Sequence, residues 1–333
     1  MSIEAVEAEA AACANVALVK YWGKRDAAAN LPAVGSISLT LAGLEARARI
    51  VGGAKARFSR DGDAIEGVAC ERMAAYLDYL SDTHGDGRTL SVDISANFPV
   101  AAGLASSAAI YCSVAAAAMS ALDCRVSLPE LSGLARRGSG SAARSVYGGL
   151  VEWHQGTRSD GSDSVAEPLL AAGAWDLAMA VVVLEEGMKK TSSRDAMAHV
   201  AATSPLYDGW LAAQDADLAA MRAAIDARNF EQVGTITEEN TLRMHAITLA
   251  ARPPVFYWKP ETLRVMEEVQ RLRADGIAAF FTMDAGPQVK VLVQQPSLEA
   301  VTARLGALPG VRRVLTALPG DGVRMLHGAQ PWS

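Results

Sequence analysis

Apolar and polar positions alternate in two early stretches, "ISLTLAGLEARARI" and "LSVDISANF". Period two predicts strands with one buried face. "GLASSAAIYCSVAAAAMSAL" has almost no polar stripe, so it predicts a helix buried on most sides. "LPELSGLARRG" predicts a further helix, and "YGGLVEWHQ" and "AWDLAMAVVVLEE" predict strands. From Asp195 to about Ala251 the pattern is helical and includes "YDGWLAAQDADLAAMRAAIDARN". "PETLRVMEEVQRLRADG" opens near a Pro and closes on a Gly, as a capped helix does. "IAAFFTM" and "VKVLVQQ" predict strands, "PSLEAVTARLGALPG" a helix, and "RRVLTAL" the final strand. The sum is an α+β fold without a solenoid repeat. The pattern changes near Glu185–Arg194, which suggests two units, residues 1–187 and 188–333.

With 333 residues, half of them hydrophobic, the chain can bury a large core. Its net charge of -6 and pI of about 5.5 disfavour nucleic acid as a partner. Local cationic loops in an acidic chain suit a small anionic ligand better. Four dispersed cysteines, Cys13, Cys70, Cys112 and Cys124, lack metal-type spacing and fit reduced, buried thiols. The opening "MSIEAVEAEAAA" is acidic and does not read as a signal peptide, and runs such as "LAMAVVVL" are too short to span a bilayer. A cytoplasmic protein that does not engage membranes is expected.

Four loops have residues that could carry chemistry. In "NFPVAAGLASSAA", Gly103, Leu104 and Ala105 lead into Ser106 and Ser107 at a helix start. Backbone N–H groups there attract an anion, and the hydroxyls could bind phosphate or Mg²⁺. The stretch lacks the Gly-Lys-Ser of a Walker loop, and taken alone it reads better as an ordinary Ser cap. In "RRGSGSAARSVYGG", Ser139, Gly140, Ser141 and Arg144 combine a free backbone with donors, and Arg144 can grip a carboxylate or phosphate two-fold. "ANVALVKYWGKRD" sets Lys20, Lys24 and Arg25 around Tyr21 and Trp22. "EEGMKKTSSRDAM" sets Lys189, Lys190 and Arg194 around Ser192 and Ser193. Asp284, in "FFTMDAGPQ", follows an apolar run and precedes Ala-Gly-Pro. It is either a turn former or a carboxylate facing a reacting hydroxyl. The five histidines form neither a metal pattern nor a triad.

In order, "NVALVKYWGKRD", "NLP…SISLTL", "NFPVAAGLASSAA", "RRGSGSAARSVYGGLVEW", "KKTSSRDAM", "TSPLYDGW" and "FTMDAGPQV" resemble the diphosphomevalonate decarboxylases of the GHMP kinase superfamily. The resemblance runs from about Ala14 to Val293. It implies a two-domain GHMP-kinase-like fold with the active site in a cleft between domains. It also implies ATP-dependent decarboxylation of mevalonate diphosphate to isopentenyl diphosphate, ATP and Mg²⁺ as cofactors, and a homodimer. By position it makes Asp284, Arg144 and Lys20 catalytic. Tyr21, Lys24, Ser139, Gly140, Ser141 and Arg194 would hold the anionic substrate. Gly103, Leu104, Ala105, Ser106, Ser107, Lys189, Ser192 and Ser193 would face ATP, with Ser107 a contact for Mg²⁺.

Two places depart from the family pattern. Val34-Gly35 replaces a polar pair, and Gln288 stands where Asn is usual after Asp-Ala-Gly-Pro. Both lie in motifs near the substrate and bear on how many phosphates it carries. The rival readings are therefore a phosphomevalonate decarboxylase and a superfamily kinase that does not decarboxylate. An RNA-binding protein of similar architecture is a third, disfavoured by charge.

Overall fold

The computed structural model describes residues 7–53, 55–98, 106–185 and 192–332. The chain begins with β1 (Glu7–Val19), the short pair β2 (Lys24–Asp26) and β3 (Leu31–Pro32), and the long β4 (Ser36–Gly52). The hairpin β5 (Phe58–Arg60) and β6 (Asp63–Ala64) follows, then α1 (Gly67–His84), β7 (Leu90–Ala96), α2 (Ser106–Ala121) and α3 (Leu128–Gly138). A 3-10 turn at Gly140–Val146 leads to β8 (Leu150–Trp153), β9 (Ala166–Leu170) and β10 (Leu177–Val183). Helices α4 (Ser193–Thr203), α5 (Tyr207–Asp226), α6 (Phe230–Leu249) and α7 (Pro260–Ala274) come next. The chain ends with β11 (Ala279–Met283), β12 (Val289–Gln294), α8 (Leu298–Gly306), β13 (Arg313–Ala317) and β14 (Arg324–His327).

The larger sheet runs β14-β1-β4-β7-β5-β6, with β8 on the free edge of β4 and β9 beyond it. The smaller sheet runs β11-β12-β10-β13 and is antiparallel throughout. Two expectations change here. "RRVLTAL" is not the final strand, because β14 follows it and closes on β1. The stretch before Lys20 is not a loop but the end of β1, whose alanines hide the strand pattern.

Those alanines have a packing role. Ala8, Ala10, Ala12 and Ala14 of β1 and Ala115–Ala118 of α2 are fully buried in one core. Small side chains on both partners let the helix sit close on the sheet, and interior packing leaves no room for larger ones. Register across β1 and β4 jumps from Cys13↔Glu45 to Asn15↔Thr40, so residues 41–44 bulge out. Gly43, at φ 78, and the Asn97 side chain, bonded to Glu45 N and Gly43 O, form this bend. The bend makes β4 change neighbours, from β8 on one side of it to β7 on the other.

A second core lies between the smaller sheet and helices α7 and α8, built from Val265, Val269, Phe281, Val291 and Val301 among others. The opposite face of that sheet, with Met179, Val181, Phe280 and Leu292, joins the first core together with α5 and α6. The two halves thus share one apolar interior. Among the described residues no helix is long and apolar enough to cross a membrane.

Candidate active site

Between the halves lies a cavity of ≈ 330 Å³. The larger-sheet half contributes Asn15, Lys20, Tyr21, Lys24, Arg72, Ser107, Ser139 and Arg144 to its wall, and the other half Arg194, Met197, Met244 and Asp284. Of the residues singled out in the sequence, Lys20, Tyr21, Lys24, Ser106, Ser107, Ser139, Gly140, Ser141, Arg144, Ser192, Ser193, Arg194 and Asp284 all line it. Gly103, Leu104, Ala105 and Lys189 lie outside the described residues.

Asp284 sits just past the end of β11. Its Oδ1 accepts from Lys20 Nζ at 2.8 Å and its Oδ2 from Lys290 Nζ at 2.9 Å. Burial opposes charge on this carboxyl, but the two ammonium groups prevail and hold it well below the usual carboxylate range. Lys20 Nζ also donates to Ala17 O at 2.8 Å, and burial pushes its ammonium down to about 8 against the pull of Asp284. The lysine is placed by tertiary contacts: its backbone N–H donates to Asn240 Oδ1 of α6 at 2.7 Å. Two residues on, Trp210 Nε1 of α5 donates to Trp22 O at 3.1 Å.

Arg144 comes from the 3-10 turn and is 2 % exposed. Its Nε and Nη2 donate to Asn15 Oδ1 at 3.2 and 3.0 Å, and its Nη1 donates to Ser36 Oγ at 2.7 Å. Asn15 is fixed in turn by donating to Ser141 O and Ser145 Oγ. These partners are neutral, so the guanidinium charge is not cancelled by direct contact. A guanidinium has five N–H donors, and the three bonds leave one donor on each terminal nitrogen for an anionic ligand. Burial pushes Arg144 down to about 10, with Asp284 and Tyr21 opposing.

Tyr21 packs edge-on against Trp153, ring centroids 4.8 Å apart, and its buried hydroxyl has no hydrogen-bond partner among the described residues. Gly140 makes this packing possible: a Cβ there would lie 2.9 Å from both rings. Lys24 Nζ donates to Asn30 Oδ1 at 2.5 Å, and burial, then Arg194 and Arg72, push it down to about 8. Lys24, Arg72 and Arg194 together form a cationic pocket suited to an anion. Ser139 donates to Ser107 at 3.1 Å and sits 3.3 Å from Ser141, a hydroxyl cluster at the start of α2. Ser192 lines the cavity too, yet its hydroxyl donates to Asp195 Oδ2 at 2.6 Å as the cap of α4.

The two departures do not reach the cavity. Val34 packs with Trp22, Met197 and Met244, and a Cβ on Gly35 would press on Leu218 at 2.8 Å. Gln288 is buried behind the sheet, where Oε1 accepts from Leu184 N at 2.6 Å and Nε2 donates to Glu185 O. It ties β12 to the end of β10 and carries no information about phosphates. Several residues of the site were not foreseen. Arg72 reads as a solvated helix charge in "CERMAAYLDYL", and Asn15 reads as a strand polar. Lys290 did leave a signal, a lone charge inside "VKVLV".

The N-terminal part, residues 12–166, matches the diphosphomevalonate decarboxylase-like N-terminal domain, and residues 179–315 match the mevalonate 5-diphosphate decarboxylase C-terminal domain. The diphosphomevalonate decarboxylase of Candida albicans is 32% identical over 91% of this chain and 90% of its own, and that of Bos taurus 35% over 83% and 74%. Solved mevalonate diphosphate decarboxylases from Staphylococcus aureus and Enterococcus faecalis superpose with TM-scores of 0.91 and 0.89, each 36% identical and covering 97% of this chain and 98% and 99% of theirs. A further neighbour, with TM-score 0.91 and 36% identity over 97% of this chain and 99% of its own, is MDDEF in complex with MVAPP, AMPPCP and magnesium. With an acid clasped by lysines, an arginine on neutral partners and both domain patterns spanning the molecule, the chain belongs to the diphosphomevalonate decarboxylase family.

Proposed function

We propose that this protein converts mevalonate diphosphate and ATP to isopentenyl diphosphate, ADP, phosphate and CO2. The observation that carries the reading is that Asp284, held by Lys20, and Arg144, which keeps two donors for a ligand, line the same cavity. Lys24, Arg72, Arg194 and the Tyr21 hydroxyl are suited to the diphosphate, and the serines at the start of α2 to the phosphates of ATP. Mg²⁺, when bound, neutralises phosphate charge. Asp284, the carboxylate in the described cavity wall, already has both oxygens on lysines, so the metal would rest on phosphate oxygens and hydroxyls such as that of Ser107.

In the first step the tertiary hydroxyl takes the γ-phosphoryl of ATP. Asp284 orients that hydroxyl and receives its proton as the new P–O bond forms. In the second step the C–O bond to phosphate breaks. The C–C bond to the carboxylate gives its electron pair to the new double bond, and CO2 departs. Arg144 holds the carboxylate so that this bond aligns with the departing phosphate. Asp284, which its two lysines make a strong acid, gives that proton up to water and, ionised again, stabilises the cation-like carbon by its charge.

The test is a panel of mevalonate, its monophosphate and its diphosphate with ATP and Mg²⁺, following ADP and CO2 together. The diphosphate should release both in equal amounts. ADP without CO2 would make the protein a kinase, and turnover confined to the monophosphate would overturn the substrate.

Three coarser matters belong to the same proposal. We place the division between units within residues 171–176, ahead of β10, rather than at 187/188 as the sequence pattern suggests, since β10 pairs with β12 and β13 rather than with the larger sheet. The cytoplasm is the proposed location, supported by four cysteines that remain free thiols. A homodimer, which the family resemblance implies, is tested by mass in solution.

A further inference from the structure

We infer that Lys290 is a positioning residue for the reaction, clasping Oδ2 of Asp284 from behind so that the carboxylate meets substrate in one orientation; this role rests on the decarboxylase reading above. The geometry is specific. Lys20 and Asp284 stand on the cavity wall, whereas Lys290 does not. It is 1 % exposed and reaches Asp284 from β12, across the strand pair from Thr282 of β11.

A carboxylate turns easily about its last bond, because that torsion has a broad energy well. One lysine on Oδ1 leaves the group free to rock around that contact. A second lysine on Oδ2 defines the plane. Each oxygen has more than one acceptor direction, so each keeps capacity toward the cavity while one direction is used by an ammonium. The substrate hydroxyl therefore meets an acceptor whose direction is set before binding, which is what positioning contributes to rate.

The sequence pattern argues against a filler role. In β12, Val289, Val291 and Val293 face the second core, while Lys290 and Leu292 face the other half of the molecule. A methionine would fill that space without the cost of burying a charge. The charge is also balanced as the reaction needs. Two ammoniums on one carboxylate leave a surplus positive charge where a substrate carboxylate and a departing phosphate gather. Among the described residues, ionisable groups around Lys290 include Asp284 after β11, Lys20 after β1 and His245 of α6, which burial and then Lys20 keep neutral, at about 3. Arg144 of the 3-10 turn acts on Lys20 and Asp284 from across the cavity.

The experiment compares wild type with Lys290→Met. Loss of positioning should lower kcat about 100-fold while KM for both substrates stays within about threefold. Removing the cation should also move the alkaline limb of the kcat–pH profile to higher pH, since Lys290 depresses Lys20. An unchanged kcat, or a lower kcat with an unmoved alkaline limb, would overturn the inference. A second measurement needs no turnover: the melting temperatures of Asp284→Asn and of Asp284→Asn combined with Lys290→Met. The single variant buries an ammonium deprived of its counter-charge, so the double variant should melt higher. A double variant that melts lower rejects the clasp. These failures are distinct from failure of the decarboxylase reading, which would show as absent CO2 release by the unsubstituted enzyme.

Discussion

Asp284 is the residue on which the chemistry turns, and its environment sets what it can do. Two ammoniums keep it ionised across the working pH range, so it arrives at the substrate as an acceptor with fixed charge. We expect Asp284→Asn to lower kcat about 10³-fold or more with substrate binding largely kept, since the amide preserves shape but loses charge and proton acceptance. Wild-type rates of CO2 release would refute that role. Arg144→Gln should lower kcat by about 10²-fold, because it removes the two-point grip on the carboxylate. Lys20 adds a pH dependence with a definite sign. Its ammonium is held at about 8, so it loses its proton above that pH, the clasp on Oδ1 weakens, and kcat should fall on the alkaline side. A kcat flat to pH 10 would contradict this.

At the scale of elements, site residues are delivered by strand ends and held by helices from the other half. α6 is the clearest case: Asn240 catches the backbone of Lys20, and Gly234 lets the helix lie on the Phe280 ring, which a Cβ would approach to 2.0 Å. Gly234→Ala should therefore cost about 1–3 kcal/mol in stability through overpacking and also lower kcat by shifting Asn240. Chemical unfolding with a turnover assay reads both. α3 gives a contrast. Ser127 and Glu130 cap its start reciprocally, remote from the chemistry. Ser127→Ala should cost about 1 kcal/mol and leave kcat unchanged. Elements with strong periodicity, such as α7, β4 and β12, were legible in the sequence. β1 was not, since alternating small residues against a helix look like composition bias, and β14 was missed as a short, mostly exposed edge.

For the whole molecule, charge is separated by the fold. The chain is acidic at -6, yet Lys20, Lys24, Arg72, Arg144 and Arg194 converge on one cavity against Asp284. Such a field draws anionic substrates and is screened by salt within about 10 Å at 0.1 M. We expect kcat/KM for the diphosphate substrate to fall about tenfold between low salt and 0.5 M, with kcat changing less. A kcat/KM independent of ionic strength would show that the cavity charge does not steer the substrate. The shared interior of the two halves makes the cleft a product of their packing rather than a feature of either alone.

The linear sequence by itself determined the strand and helix types where periodicity is strong, the residues flanking the anion loops, and the motif order that points to the family. Local pattern suffices there because backbone preference and side-chain alternation act between near neighbours. The tertiary structure decided which of those residues meet. Lys20 and Asp284 are 264 positions apart, Arg144 and Asn15 are 129 apart, and Arg72 is brought in on a helix whose own pattern looks solvated. It also showed that Val34, Gly35 and Gln288 serve packing and strand-end bonds. No local rule contains such pairings, because the free energy that makes them comes from burying both halves against each other, after which each buried charge must find its partner.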